Sequence, residues 1–126
     1  MKVLKGGKEF YFATTHLDHK YEDAARLLQI NEILSHVEQL DLLIILGGDL
    51  NSRQGSATMD AFQRYFTVNC LSDGAPWTVP APHPSYACDW LIYAPINAFV
   101  VKAYNVCYRA DKESDHFPVT ATYVIR

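Results

Sequence analysis

The sequence has no CxxC pair and no cysteine–histidine spacing of a zinc ligand set; its three cysteines, Cys70, Cys88 and Cys107, are far apart and odd in number. A disulfide framework needs paired cysteines at close spacing, so free, buried thiols of a reducing compartment are the expectation. No apolar run approaches the roughly 20 residues that cross a bilayer. The opening "MKVLKGGKEF" has no signal-peptide core, which makes a cytoplasmic location the expectation if Met1 is the true start. Nor is there a run of basic residues: 11 Lys and Arg stand against 14 Asp and Glu, a formal net charge of −3. Without a basic stripe, the charge pattern gives no sign of non-specific nucleic-acid capture. Repeats and low-complexity tracts are missing too. What is present is 126 residues, 49% of them apolar, which suits one domain, residues 1–126, around one core.

Residues 9–15, "EFYFATT", are aromatic and β-branched and suit a strand. In "YEDAARLLQINEILSHVEQL", residues 21–40, Leu27, Ile30, Ile33, Leu34 and Val37 recur at helical spacing. Glu22 and Asp23 at its start complement the helix dipole. "LLIIL", residues 42–46, is apolar throughout, as a strand covered on both faces would be, and runs into Gly47 and Gly48. The order strand, helix, strand predicts a βαβ crossover. Ser56 is placed to cap a short helix through about Phe66, with Phe62 and Phe66 on one side. The proline-dense stretch "DGAPWTVPAPHPS" is loop. "CDWLIY", "FVVKAYNVCY" and "PVTATYVI" predict three closing strands.

Polar clusters sit at the ends of these strands. In "LGGDLNS", Asp49 and Asn51 are two apart, so a continuing strand would project both into the crevice where α/β sheets bind ligands. "TTHLDH" carries His16, Asp18 and His19, and a histidine at such a point can donate to a phosphate oxygen or ligate a metal. "ESDHFPV" sets Asp115, suited to a hard cation, beside His116, suited to a proton or a polarised water. In "ACDWLIY", Asp89 precedes a bulky apolar run, where an acid needs a partner, and His116 is the natural one. Each cluster alone reads as an ordinary turn. Four together at strand ends point to a shared site.

In their order and approximate spacing, "TTHLDH", "LGGDLNS", "CDWLIY" and "SDHFPV" resemble the signature blocks of the endonuclease/exonuclease/phosphatase superfamily, the deoxyribonuclease I-like proteins, which usually read close to THLDH, GDFN, IDYIF and SDHRPV. The proline-containing approach "WTVPAPHPSYACDW" resembles the threonine- and proline-bearing approach to the third block in small bacterial members. Trp90 and Cys88 replace the usual tyrosine and isoleucine of that block. The resemblance implies a phosphoesterase that uses Mg²⁺ or Mn²⁺ to polarise a phosphate ester while water attacks phosphorus in line. By position, Asp115 would ligate the metal. His116 would contact the phosphate and help activate water, and Asp89 would orient it. Asp49 would position or deprotonate the water and share in the metal site, Asn51 would hold a phosphate oxygen, and His16 would bond the scissile phosphate or assist the leaving group. Asp18 and His19 would be supporting residues.

The family domain is about twice this length, so the resemblance implies its C-terminal half: half of a four-layered α/β sandwich, one mixed sheet with helices on one face. The upstream half, with a glutamate that is a principal metal ligand, has no counterpart here. The sheet's other face would lie open to water and invite a second copy or the N-terminal half. The loop 73–86 is expected to contribute to substrate specificity, and it carries no basic cluster, which mildly disfavours duplex DNA relative to a smaller phosphate ester. Two alternatives compete with this reading. One is a catalytically silent half-domain serving as an interaction module. The other is a zinc hydrolase of the metallo-β-lactamase type, whose HxHxDH motif "TTHLDH" matches at three of four ligand positions, Thr14 standing for the first histidine.

Overall fold

The computed structural model describes residues 1–41, 43–68 and 76–126. Cys70 and residues 73–75 of the proline-dense loop lie outside them. The elements are β1 (Lys2–Lys5), β2 (Lys8–Thr14), α1 (Ala24–Val37), β3 (Leu43–Asp49), α2 (Ala57–Gln63), β4 (Thr67–Val68), β5 (Asp89–Ala94), β6 (Phe99–Val106) and β7 (Val119–Ile125).

Five strands form a mixed sheet in the order β1-β2-β3-β5-β4. β2 and β3 are its parallel pair, joined by α1, which is the crossover the sequence predicts. β5 lies antiparallel beside β3 and sets Asp89 directly opposite Asp49. β1 is an addition to the sequence reading. Its signal is the glycine pair of "KGGK": Gly6 and Gly7 have φ of 58° and 77°, as a two-residue hairpin turn requires.

The helices cover one face. Ile30 and Leu34 of α1 and Met59 and Phe62 of α2 meet Ile44 and Leu46 of β3 and Trp90, Ile92 and Ala94 of β5 in the main core. These positions alternate along each strand, so the intervening residues face the other way. There the outcome differs from a single sheet with one open face. β6 and β7 form their own two-stranded sheet, and Phe99, Val101, Tyr123 and Ile125 lie with Ile45 and Tyr93 of the main sheet in a second core. The Tyr93 and Phe99 rings meet edge to face at 5.2 Å. This placement buries the aromatics of β6 and β7 against Ile45 and Tyr93, which placement at the sheet edge would leave uncovered. The chain thus covers part of its own second face, while Phe12 stays 38% exposed.

Local details correct some boundaries. α1 starts at Ala24, and the Asp23 carboxylate does not cap it. That carboxylate accepts from Thr58 Oγ1 at 2.5 Å and from Arg26 at 2.9 Å. Arg26, only 4% exposed, also donates to the Asp18 and Lys20 carbonyls, fastening the loop after β2 to both helices. Ser56 caps α2 as expected, accepting from Met59 N at 3.2 Å. α2 ends at Gln63, yet Phe62 and Phe66 remain in edge-to-face contact. Cys88 is buried and free. Cys107 is free but exposed, because it lies in the connection that follows β6. Among the described residues no helix is long and apolar enough to cross a membrane.

The Asp23 cluster carries a pH dependence. Hydrogen bonds from Thr58 and Arg26 hold the Asp23 carboxyl below its usual range, against a smaller opposing effect of burial. A depressed folded value adds stability above the unfolded value of about 3.9, and that stability fades as pH falls through the folded value. Asp23→Asn is expected to lower stability by about 1.5 kcal/mol at neutral pH, the scale of a hydrogen bond to a charged group. It should also flatten the acid-side loss in urea midpoints measured from ~pH 5 downward. Parallel acid-side curves for the two proteins would show that Asp23 has no linked role.

Candidate active site

Three connections converge where β3 ends and β5 begins. The segment after β2 continues beside β3: Thr15 N donates to Gly47 O at 3.1 Å and Leu17 N to Asp49 O at 3.0 Å. Leu17 anchors this segment in the core, 3% exposed. His16 is left outside with Nε2 3.3 Å from Asp49 Oδ2. Asn51 turns the chain at φ 46°. Its N–H donates to Asp49 Oδ1 at 2.8 Å, and its Nδ2 donates to Leu17 O at 2.8 Å. Asp49 and Asn51 do form a turn, and that turn holds them at the sheet rim with Asp49 Oδ2 directed to His16.

The third connection, residues 114–118, is laid against the loop before β5. Ala81 N donates to Asp115 O and Phe117 N to Thr78 O, each at 2.8 Å. His116 is thereby held with Nδ1 2.9 Å from Asp89 Oδ2. The same oxygen accepts from the buried Thr78 hydroxyl at 2.6 Å and from the Cys88 thiol at 3.4 Å. Thr78 Oγ1 in turn accepts from the Cys88 and Asp89 backbone N–H groups at 3.2 and 3.3 Å. Asp89 is therefore fixed before it meets the histidine.

Burial pulls the His116 imidazolium down. The Asp89 hydrogen bond and the charges of Asp89, Asp49 and Asp115 outweigh that, so its pKa is raised. Burial, with the Asp89 and Asp49 carboxylates, pushes the Cys88 thiol far up, leaving it protonated. A carboxylate that accepts Nδ1–H leaves Nε2 of a neutral imidazole free to take a proton, the arrangement a general base needs.

His16, Asp49, Asn51, Asp89 and His116 are thus brought to one rim. Ligand atoms of Asp49, Cys88, Asp89 and His116 lie within 4.8 Å of one another. Asp115 is next in the chain, but its carboxylate is exposed and accepts from Ser114 at 3.4 Å, outside that group. Asp18 supports the loop, Oδ1 accepting from Lys20 N at 2.8 Å. Among the described residues no metal-ligand group contains His19 or Asp18, which leaves the metallo-β-lactamase alternative without its cluster. Two contributors escaped the sequence reading. Thr78 could have been found from the threonine of the proline-containing approach, whereas Cys88 had no signal beyond its departure from the usual isoleucine.

Beside Asn51 opens a cavity of about 710 Å³ lined by His19, Lys20, Arg26, Ser52, Arg53 and Tyr86, among others. The Arg53 guanidinium lies over the Tyr86 ring at 4.0 Å. Its cations come from separate stretches, which is why no basic run announces them. Ser52 also lines it, and the buried Ser52 Oγ has no hydrogen-bond partner among the described residues. A second hollow of about 370 Å³ touches Gly48, Asp89, His116 and Pro118.

No protein-family model and no curated protein matches the chain. Solved structures do. An endonuclease/exonuclease/phosphatase family protein from Bacteroides thetaiotaomicron is 24% identical with a TM-score of 0.73, over 96% of this chain and 52% of that one. A mannosyl-6-phosphatase from Bacteroides thetaiotaomicron VPI-5482 is 24% identical with a TM-score of 0.67, over 95% of this chain and 53% of that one. TDP2 from D. rerio, solved with a single-strand DNA product, is 18% identical with a TM-score of 0.72, over 98% and 59%. The chain has the fold of these structures over nearly its whole length and spans about half of theirs.

Proposed function

We propose that this chain is the C-terminal half of an endonuclease/exonuclease/phosphatase domain and supplies most of the catalytic side chains of a phosphate-ester hydrolase. The observation that carries the reading is the fixed Asp89–His116 pair at 2.9 Å, facing Asp49 across the β3–β5 register. In this reading Asp89 holds the His116 proton on Nδ1, and Nε2 bonds the phosphate or takes a proton from the attacking water. Asp49 positions that water through Oδ2. Asn51 offers its second Nδ2–H to a phosphate oxygen. His16, with its side chain 72% exposed, is free to reach the leaving group. The cavity beside Asn51, with Lys20, Arg53 and Tyr86, would take the remainder of the ester.

The donor set is compatible with Mg²⁺ or Mn²⁺, which bind through one or two carboxylates, waters and substrate phosphate. Asp49 would hold the ion, with the exposed Asp115 carboxylate turning in from outside the ligand group to join it, and the ion would neutralise charge developing on the phosphate. Two carboxylates alone make a weak site, and completing it would fall to the upstream half. The part of the second sheet face around Phe12 that β6 and β7 leave open is where that half, or a second copy, would dock.

The test compares Mg²⁺-dependent hydrolysis of a generic phosphodiester and phosphomonoester by this chain and by a longer chain carrying the upstream half. The longer chain is expected to turn over at least ~100-fold faster, since a complete metal site and the second wall of the cleft are both at stake. Equal inactivity of both, at full folding, would leave the silent interaction module as the surviving account.

A further inference from the structure

The phosphoesterase reading uses Cys88 only as one of the donors that steady Asp89, yet this residue, 2% exposed, sits inside the ligand group at the rim. Its sulfur is 3.4 Å from Asp89 Oδ2 and 3.9 Å from His116 Nδ1, and those two atoms are 2.9 Å apart. A tetrahedral Zn²⁺ with bonds of about 2.3 Å to sulfur, 2.05 Å to nitrogen and 2.0 Å to oxygen has edges of about 3.5, 3.5 and 3.3 Å between such donors. The observed triangle differs from that by about 0.4 Å at most on any edge. Asp49 supplies a fourth donor within the same 4.8 Å. The hard cation of the proposed hydrolysis avoids thiolate, whereas a soft or borderline ion selects it. The hollow lined by Gly48, Asp89 and His116 gives a route in, and Thr78 steadies the Asp89 carboxylate from behind.

We propose that Cys88 Sγ, His116 Nδ1 and Asp89, with Asp49, form a site for a soft divalent cation such as Zn²⁺ that competes with catalysis. Binding releases the thiol proton to solvent, and the imidazole proton moves from Nδ1 to Nε2, so one proton leaves per ion bound. Nε2 then carries a hydrogen and can no longer accept one, and Asp89 no longer orients the ring. The ion therefore silences the pair by occupying it. Binding stands on the donor geometry alone; only the inhibitory consequence rests on the phosphoesterase reading.

The experiment titrates the reduced 126-residue chain with Co²⁺, a coloured stand-in for Zn²⁺. One equivalent is expected to produce a thiolate-to-cobalt charge-transfer absorption with tetrahedral d–d bands, displaced by Zn²⁺ and untouched by excess Mg²⁺. Cys88→Ala should abolish the charge-transfer band and weaken Zn²⁺ binding by at least ~10-fold, the lower end of what even a supporting residue of a metal site costs. Cys107→Ala should leave both unchanged. His116→Ala, at a partly exposed position, provides a second test should Cys88→Ala fold poorly, and is expected to shift the d–d bands and weaken binding. Absence of the band in the wild type, or its persistence in folded Cys88→Ala, overturns the site. In the longer chain, the Zn²⁺ concentration for half-inhibition, taken against each protein's own Mg²⁺-supported rate, should rise at least ~10-fold in Cys88→Ala. A band in a longer chain that has no activity would sustain the metal site and sink the phosphoesterase reading. Activity without a band would do the reverse.

Discussion

Replacing His116 by alanine is expected to lower the Mg²⁺-dependent kcat of the longer chain by about 10²–10⁴-fold, the range for losing a positioned acid–base group. The geometry explains why the loss should be so large. Thr78 and Cys88 aim their protons at the same Asp89 oxygen that meets His116 Nδ1, so the ring is held in one orientation and one tautomer. Asp49 is not placed to replace it simply, because Oδ1 is engaged by Asn51 and Oδ2 faces His16 at 3.3 Å, and the Asn51 amide cannot take a proton. The defect should fall mainly on kcat, because the base acts in the transition state and adds little to ground-state binding. Asp89→Asn should lose a comparable factor, since an amide that presents its N–H to Nδ1 stabilises the wrong tautomer. His116 is only partly buried, so the alanine variant should remain folded by circular dichroism. A folded His116→Ala enzyme within ~3-fold of the wild type would remove the pair from the mechanism.

The sequence made β2, α1, β3 and the closing strands legible because each carries its own hydrophobic period, and His16, Asp49, Asn51, Asp89 and His116 because each stands at or within a few residues of one end of such a strand. Features that depend on register or layering were not legible. That β6 and β7 would cross to the second face depends on Tyr123 meeting Tyr93 and Phe99, contacts between segments far apart in the chain. The place of Cys88 beside His116 depends on Thr78 and Phe117 joining two loops. Asp115 was read as a metal ligand from its acid character and its place in the motif; its exposed carboxylate lies outside the group that His116 joins, because adjacent residues point in different directions. The Asp49–Asn51 pair shows the converse: the turn reading does not exclude the site reading, because the turn is what presents Asp49 Oδ2 at the rim.

Gly48→Ala is expected to prevent folding or to lower Tm by at least ~10 °C, a loss beyond ~4 kcal/mol. Gly48 has φ of +148°, where an L side chain is strained. A Cβ there would sit 1.8 Å from the Thr15 carbonyl oxygen and 3.0 Å from its carbon. Both obstacles are backbone, held by the Thr15 N to Gly47 O and Leu17 N to Asp49 O bonds, so no rotamer change relieves the clash. Gly47 offers the internal control, because a Cβ there meets the Leu91 Cδ2 tip at 2.7 Å, which a side-chain shift can absorb. Gly47→Ala should therefore cost only about 1–3 kcal/mol. The contrast ties the fold to the site. The bare backbone at Gly48 is what lets the segment carrying His16 and Leu17 run against β3, so any surviving Gly48→Ala protein would have to swing that segment away and separate His16 from Asp49. Urea melts of the two variants measure the difference, and near-equal midpoints would mean that the close approach of Thr15 to Gly48 does not hold this rim together.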